Sequence, residues 1–191
     1  MIIRTIVALL ISVSMALAAD NLVDYRVLAT SKTSTMEKEL NEASDTGFRM
    51  DKVMGGQTAF GGSEVVVVMS KDKSAPAKKR YTYRLLATSK TSTMEKELNS
   101  AGSEGFRYVD QTVFNSAFGG EEVVAILELD RDSNPRITYE YKLLSTSKTS
   151  TMQKELQAAG EQGFSFVGVT VSKTAFGGKE VLSILRKEVT R

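Results

Sequence analysis

The residues best suited to bind a ligand lie in a short polar sequence that occurs three times. Each copy contains Ser-Lys-Thr at the start of a predicted helix: Ser31, Lys32 and Thr33; Ser89, Lys90 and Thr91; Ser147, Lys148 and Thr149. The free N–H groups and the positive dipole end of a helix N-terminus attract anions, and a lysine adds a full positive charge. The pattern predicts that these loops bind an anion or a protein partner.

Helix capping is the alternative explanation for the same loops. Ser34 and Glu37 fit a capping box, as do Ser92 with Glu95 and Ser150 with Gln153. In a capping box the hydroxyl and the side chain three positions later satisfy free backbone donors. We therefore predict that the serines cap the helices, and anion binding stays open beside that function.

A second candidate is the sequence Ala-Phe-Gly-Gly, which also occurs three times and contains Phe60, Phe118 and Phe176. It precedes a predicted strand and lacks the Gly-Lys-Ser/Thr ending of a phosphate-binding loop, so it is predicted to form a hairpin loop. Exposed, these phenylalanines would form a recognition surface; buried, they would only anchor the hairpins.

Composition excludes several kinds of catalysis. The chain has no cysteine and no histidine, which removes thiolate nucleophiles, imidazole bases and the usual zinc sites. Glu64, Glu122 and Glu180 recur as equivalent copies, whereas catalytic carboxylates work as unlike pairs. We predict no catalytic residue, no cofactor and no metal site; a carboxylate-dependent glycan hydrolase is the remote alternative.

The net charge of +2 is too small to attract nucleic acid through a global field. The basic stretch 71–80 is interrupted by acidic and small residues and lacks interleaved aromatics, so it is predicted to be a linker. We expect no nucleic-acid partner. The remaining candidates are an anionic small molecule, a glycan or an envelope protein.

The first 18 residues match a secretory signal peptide. Arg4 precedes an apolar stretch, and Ala16-Leu17-Ala18 fits the small-x-small cleavage site. No later run approaches the ~20 apolar residues of a membrane-spanning helix. We therefore expect a secreted or periplasmic bacterial protein with no membrane span after cleavage.

The positioning elements follow from the repeat itself. Tyr25, Tyr83 and Tyr141 open three similar blocks at a constant offset of 58 residues, which indicates one repeated supersecondary unit. The predicted repeats occupy residues 19–75, 76–134 and 135–191, with linkers that contain the only two prolines. Units of this size are marginal alone, so we expect them to share apolar surfaces.

Periodicity predicts the order strand, helix, strand, strand in each unit. A helical stripe contains Met36, Leu40 and Ala43, and Gly47 follows where a left-handed C-cap is expected. The third strands are apolar at odd and even positions, which predicts cover on both faces. The predicted fold is α+β, with three tandem units that pack helices on antiparallel-rich sheets.

Each block also resembles a bacterial family, the domain-of-unknown-function 4177 family. The resemblance rests on the aromatic-x-x-Leu opening strand, the helix followed by Gly-Phe, and the closing apolar hairpin. That family usually has Trp after the glycine, where this chain has Phe48, Phe106 and Phe164. The resemblance implies a small α+β unit and no activity, because the family has no established catalytic residues.

Together these observations predict an exported, non-enzymatic repeat protein that binds an anionic ligand or a protein partner through its Ser/Thr/Lys loops. The alternative is a purely structural or oligomer-forming envelope module.

Overall fold

The structure is a computed structural model of the 191-residue chain. It describes residues 22–57, 63–88, 91–115, 121–133, 137–173 and 179–189. The predicted signal segment lies outside these ranges.

The first unit contains β1 (Val23–Thr30), α1 (Thr33–Asp45), β2 (Arg49–Gln57) and β3 (Ser63–Asp72). The second contains β4 (Tyr81–Thr88), α2 (Thr91–Ser103), β5 (Arg107–Asn115) and β6 (Glu121–Asp130). The third contains β7 (Thr138–Thr146), α3 (Thr149–Glu161), β8 (Ser165–Lys173) and β9 (Lys179–Val189).

Each unit forms one three-stranded antiparallel sheet with its last strand in the centre. The strand orders are β1-β3-β2, β4-β6-β5 and β7-β9-β8. The register is equivalent in all three sheets: Tyr25 pairs with Ser70, Tyr83 with Glu128, and Tyr141 with Arg186. The predicted α+β fold with strand-helix-strand-strand units is confirmed.

The helix C-termini agree with prediction. Gly47, Gly105 and Gly163 have φ angles of 91°, 95° and 85°, in the left-handed region that glycine adopts without steric cost. These glycines end the helices and turn the chain into the second strand.

The predicted capping boxes are wrong. Lys32 and Lys148 are the N-cap residues of α1 and α3, and neither side chain makes a capping hydrogen bond. Ser34 and Ser150 therefore lie one residue inside the first turn instead of preceding it. Ser92 is likewise the second residue of α2.

The units share their cores. We call the sheet face that is covered by the unit's own helix the front face, and the opposite face the back face. Met36 and Leu40 of α1 are buried in a cluster that also contains Tyr83 and Ile126, from the back face of the second sheet. A second cluster joins Met94 of α2 to residues from the back face of the third sheet. The expectation of shared apolar surfaces is confirmed.

Within the described residues, the first sheet of the stack is less covered than the middle sheet. All residues from Val123 to Glu128 in β6 are buried, as predicted for a strand covered on both faces. In β3, by contrast, Val66 and Val68 are only half-buried, because no other unit of the described chain covers the back of the first sheet. Among the described residues, the helices are too short or too polar to cross a membrane.

Candidate functional site

The first and third Ser/Thr/Lys loops lie at the N-termini of α1 and α3, as predicted. Ser31, Lys32, Ser147 and Lys148 are exposed. The backbone N–H of Lys32 donates to Thr30 Oγ1 at 3.2 Å, and Lys148 makes the same bond to Thr146 Oγ1 at 3.2 Å. Thr33, Thr91 and Thr149 are the first residues of the three helices. Ser89 and Lys90 lie outside the described residues, as do Phe60, Phe118 and Phe176.

A shallow groove of about 270 Å³ lies beside the N-terminus of α1. It is lined by Thr33, Ser34, Glu37, Leu85 and Ala87. The Glu37 carboxylate accepts a hydrogen bond from the backbone N–H of Leu85 at 2.8 Å. Glu37 therefore contacts the following unit and contributes negative charge to a groove that was predicted to attract anions.

The contact between Glu37 and Leu85 belongs to a larger junction between α1 and the outer edge of β4. The Asn41 carboxamide donates to the carbonyl of Tyr83 at 2.9 Å and accepts from the N–H of Tyr83 at 3.0 Å. The Ser44 hydroxyl donates to the carbonyl of Tyr81 at 2.7 Å. Buried backbone groups need hydrogen-bond partners. These side chains supply partners for the N–H and carbonyl groups on the outer edge of β4, which no other strand of the sheet pairs with.

The same junction forms between α2 and β7. Asn99 exchanges hydrogen bonds of 2.8 and 2.9 Å with the backbone of Tyr141, and Glu95 accepts from the N–H of Leu143 at 3.3 Å. Gly102 takes the place of Ser44 and packs closely against Tyr139: a Cβ there would lie 2.3 Å from the Tyr139 carbonyl oxygen. Two successive junctions therefore use the same geometry.

Buried tyrosine hydroxyls join the units on the inner side of each junction. The Tyr83 hydroxyl accepts from the N–H of Met50 at 2.9 Å and donates to Glu128 at 3.1 Å. The Tyr141 hydroxyl accepts from the N–H of Tyr108 at 2.6 Å and donates to the carbonyl of Phe106 at 3.0 Å. Burial raises the pKa of both tyrosines well above its usual range, so both hydroxyls stay protonated.

A buried ionic cluster connects the first two units at Glu128, whose side chain is 2% exposed. Arg49 donates to both Glu128 oxygens, at 2.9 and 3.0 Å, and Arg107 donates to Oε1 at 2.9 Å. The hydrogen bond to Glu128 raises the pKa of Arg49. Two guanidinium groups and one hydroxyl therefore compensate the buried carboxylate.

Sequence reasoning missed this cluster, although a signal for it exists. The residues equivalent to Glu128 are Ser70 in the first unit and Arg186 in the third. A carboxylate at this position occurs only in the second copy, which marks a contact specific to that copy. The features shared by the three repeats do not indicate this difference.

A cleft of about 300 Å³ opens beside the ionic cluster. Glu128, Asp130 and Glu188 line it together with Arg49 and Arg107. The hydrogen bond from Arg80 lowers the pKa of Asp130. Two of the three carboxylates in this cleft are therefore held by arginine, which suits structural ion pairing better than proton donation.

The back face of the first sheet exposes residues whose equivalents are buried or half-buried. Tyr25 is 66% exposed, whereas Tyr83 is 2% and Tyr141 is 3% exposed. Val27 is 63% exposed, whereas its equivalent Leu143 is 9% exposed. Val23 and Met54 are also exposed on this sheet. We call Val23, Tyr25, Val27 and Met54 the leading face.

The opposite end of the stack shows the complementary difference. Phe166 of β8 is 52% exposed, whereas its equivalents Met50 and Tyr108 are each 4% exposed. Val169 and Val171 are exposed on the same strand. Beside them α3 presents Gln153, Gln157 and Gly160 to solvent, at the positions where α1 and α2 bind the next unit. We call these six residues the trailing face.

Comparison with protein-family models, curated proteins and solved structures found no match. The resemblance to the domain-of-unknown-function 4177 family stays a prediction.

Proposed function

We propose that this chain is an exported, non-enzymatic repeat protein that binds protein surfaces through the exposed ends of its stack. The observation that supports this most is the exposure of Tyr25, at 66% against 2% and 3% for its two internal equivalents. Inside the chain, the equivalent back faces of the second and third sheets pack on the front of a helix-covered sheet, which supports a similar protein surface as the partner.

The leading face has the composition of an interface. It combines a tyrosine with aliphatic side chains and a methionine, and aromatic residues and methionine are enriched at the cores of protein–protein contacts. Contiguous apolar patches on soluble proteins commonly mark such sites. Burial of apolar surface contributes about 25 cal/mol per Å², so covering several large side chains is a substantial driving force.

The absence of an enzymatic role is supported by the state of the carboxylates. In the cleft, Glu128 accepts from two arginines and a tyrosine, and Asp130 accepts from Arg80. A glycosidase needs one protonated and one ionised carboxylate in unlike environments. Charge pairing of this kind favours cohesion between the units over acid–base chemistry.

Export is supported by the N-terminal pattern of Arg4, the apolar stretch and Ala16-Leu17-Ala18. Mass spectrometry of protein produced from the full sequence, in whole cells and in the exported fraction, tests this part. A mature N-terminus near Ala19 is expected; an intact Met1 in the exported fraction would contradict it.

Photocrosslinking in the producing cells tests the binding function. A photoreactive phenylalanine analogue replaces Tyr25 in one variant and Ser100, an exposed residue of α2 in the middle unit, in the control. We expect a discrete crosslinked protein from position 25 and none from position 100. Absence of a crosslink from both position 25 and a second probe at Phe166 would overturn the proposal.

Anion binding at the helix N-termini is a second candidate, favoured by one observation. Lys32 and Lys148 are exposed N-cap residues whose side chains make no capping bond, which leaves first-turn N–H groups without that common partner. The Glu37 carboxylate opposes anion binding at α1. Gln153, its neutral equivalent at α3, does not.

Thermal shift with phosphate and sulfate tests this candidate. We compare the parent chain with a Lys32→Ala/Lys90→Ala/Lys148→Ala variant and with a Lys38→Ala/Lys154→Ala control that removes exposed helix charges elsewhere. An anion at about 100 times its Kd stabilises by about 2.7 kcal/mol. A shift that disappears only in the loop variant supports binding; equal behaviour of all three proteins contradicts it.

A further inference from the structure

The leading face and the trailing face correspond to the two surfaces that pack together at each internal junction. Inside the chain, the front of each unit packs on the back of the next, and this happens twice with the same hydrogen bonds. Among the described residues, the front of the third unit, which carries the trailing face, has no further unit packed on it, and the back of the first unit, which carries the leading face, has none either. Any copy of this chain therefore presents to another copy both surfaces that the junction requires.

The leading face retains the features that the junction uses on its strand side. Tyr25 takes the position of Tyr83 and Tyr141 in an edge strand that pairs with the central strand of its sheet. No described helix lies along the outer edge of β1, as α1 does along β4. An exposed strand edge of this kind is a template for binding another chain.

The trailing face retains the chemistry of the helix side, with longer side chains. Gln157 takes the position of Asn41 and offers the same amide donor and acceptor, one methylene farther from the backbone. Gln153 takes the position of Glu37 and keeps an acceptor oxygen. Gly160 takes the position of Gly102, and a Cβ there would meet no atom within 4 Å.

Gly160 is informative because a helical glycine is unfavourable where nothing contacts it. At the equivalent position, Gly102 lies against a strand carbonyl that a Cβ would overlap. The open space next to Gly160 corresponds to the space that the Tyr139 carbonyl occupies next to Gly102 at the previous junction. A strand from a second copy would fill it in the same way.

The charges at the two ends permit this contact. Between copies, Ser165 of one copy and Ser70 of the next take the positions of the ion pair Arg49–Glu128. At the positions of the ion pair Lys52–Asp110, Gly168 of one copy faces Lys52 of the next. No like charges meet at these positions, and no ion pair forms, so the contact between copies is weaker than the internal junction and depends on concentration.

We propose that copies of this chain associate head to tail, with the trailing face of one copy on the leading face of the next in the geometry of the internal junctions. This inference rests on the proposed function and names its partner as a second copy. The contact is heterologous, so it produces a closed ring if the rotation between copies closes and a longer row if it does not.

Sedimentation velocity on the purified protein, produced from the full sequence, tests this proposal across a wide range of concentrations. The parent mass is expected to rise above that of one chain, 20.9 kDa for the full sequence. Tyr25→Asp disables the leading face and Phe166→Asp the trailing face; both side chains are more than half exposed, so folding is retained. Ser100→Asp adds the same charge at an exposed site in the middle unit and is expected to behave like the parent.

Mixing the two end variants gives the decisive result. Each variant alone is expected to be monomeric, whereas an equal mixture forms dimers and nothing larger, since each partner supplies one intact face. Self-association of either variant alone would indicate a symmetric contact and overturn the proposal. A parent that stays monomeric at every concentration would also overturn it.

The two proposals fail in different ways. If the purified parent stays monomeric while a probe at position 25 crosslinks to a different protein in cells, the second copy is the wrong partner and the binding function stands. If no crosslink forms at either end in cells, the proposed function itself fails.

Discussion

The Asn41 carboxamide and the backbone of Tyr83 exchange two hydrogen bonds, of 2.9 and 3.0 Å, across the boundary between the first two units. One short side chain thereby satisfies both a donor and an acceptor on the outer edge of β4. Asn99 and Tyr141 repeat the arrangement 58 residues later. This contact explains how similar units become one stack, because α1 and α2 each close the outer sheet edge of the following unit.

Asn41→Ala is therefore expected to destabilise the protein by about 1–3 kcal/mol, the cost of leaving buried backbone groups without partners. Urea unfolding followed by circular dichroism measures the change. Gln157→Ala is the matched control, since the equivalent amide in α3 is exposed and its loss should stay within about 0.5 kcal/mol. Equal effects at both positions would show that Asn41 contributes only through its own helix.

The ionic cluster gives a second prediction. Replacing both Arg49 and Arg107 by alanine leaves the Glu128 carboxylate buried beside only the Tyr83 hydroxyl. Breaking a buried pair in this way costs about 3–5 kcal/mol, measurable by guanidinium chloride unfolding. Glu128→Gln should cost less, because the arginines are 46% and 37% exposed and can be rehydrated.

The triple variant that combines all three changes is the control for this interpretation. Removing the charge at Glu128 in the double-arginine background should recover part of the lost stability, as expected for residues that interact directly. A triple variant less stable than the double variant would show that packing by the arginine stems dominates.

Much of the fold follows from local sequence patterns. The periodicity of the strands and helices predicts the order of elements in each unit. The glycine at position 47, which adopts a positive φ angle, marks the end of the first helix. The central position of the last strand is not encoded locally, since β3 is apolar on both faces whichever strands it pairs with. Asn41 likewise resembles an ordinary polar helix residue until Tyr83 is placed against it.

The candidate site was less predictable for a related reason. Thr33, Ser34 and Thr35 are all plausible caps, so the local sequence does not determine where α1 begins. Glu37, which a capping box would turn back on its own helix, is instead held by the N–H of Leu85. Long-range contacts of this kind are visible only after the units are stacked, whereas Glu128 stands out in the sequence as a carboxylate that the other two copies lack.

The buried tyrosines predict loss of stability at alkaline pH. Burial raises the pKa of Tyr83, Tyr108 and Tyr141 above the usual value of about 10. The unfolded chain then releases protons that the folded chain retains, so the contribution of these tyrosines to the free energy of unfolding is constant below about pH 10 and falls as the pH rises further. Each such tyrosine contributes at most about 1.4 kcal/mol per pH unit.

Tyr83→Phe should reduce this alkaline slope, although it lowers stability at neutral pH by removing the bonds to Met50 and Glu128. Urea titrations at several pH values from neutral to strongly alkaline measure the slope. Tyr25→Phe removes an exposed hydroxyl and should leave the slope as in the parent. An unchanged slope in Tyr83→Phe would assign the alkaline loss to other groups.

Two helical glycines at equivalent positions should respond in opposite directions to alanine. In Gly102→Ala the new Cβ lies 2.3 Å from the Tyr139 carbonyl oxygen and 2.9 Å from a ring carbon of Tyr141. A backbone oxygen in a strand cannot move aside easily, so overpacking should destabilise the protein by about 1–3 kcal/mol. In Gly160→Ala the Cβ meets nothing within 4 Å, and the better helix propensity of alanine should stabilise the single chain by up to about 1 kcal/mol.

Thermal unfolding at low protein concentration measures both changes. Sedimentation at high concentration adds a second readout, because the methyl group that stabilises the single chain should obstruct a strand from a neighbouring copy. Stabilisation without any effect on self-association would place the contact between copies away from Gly160.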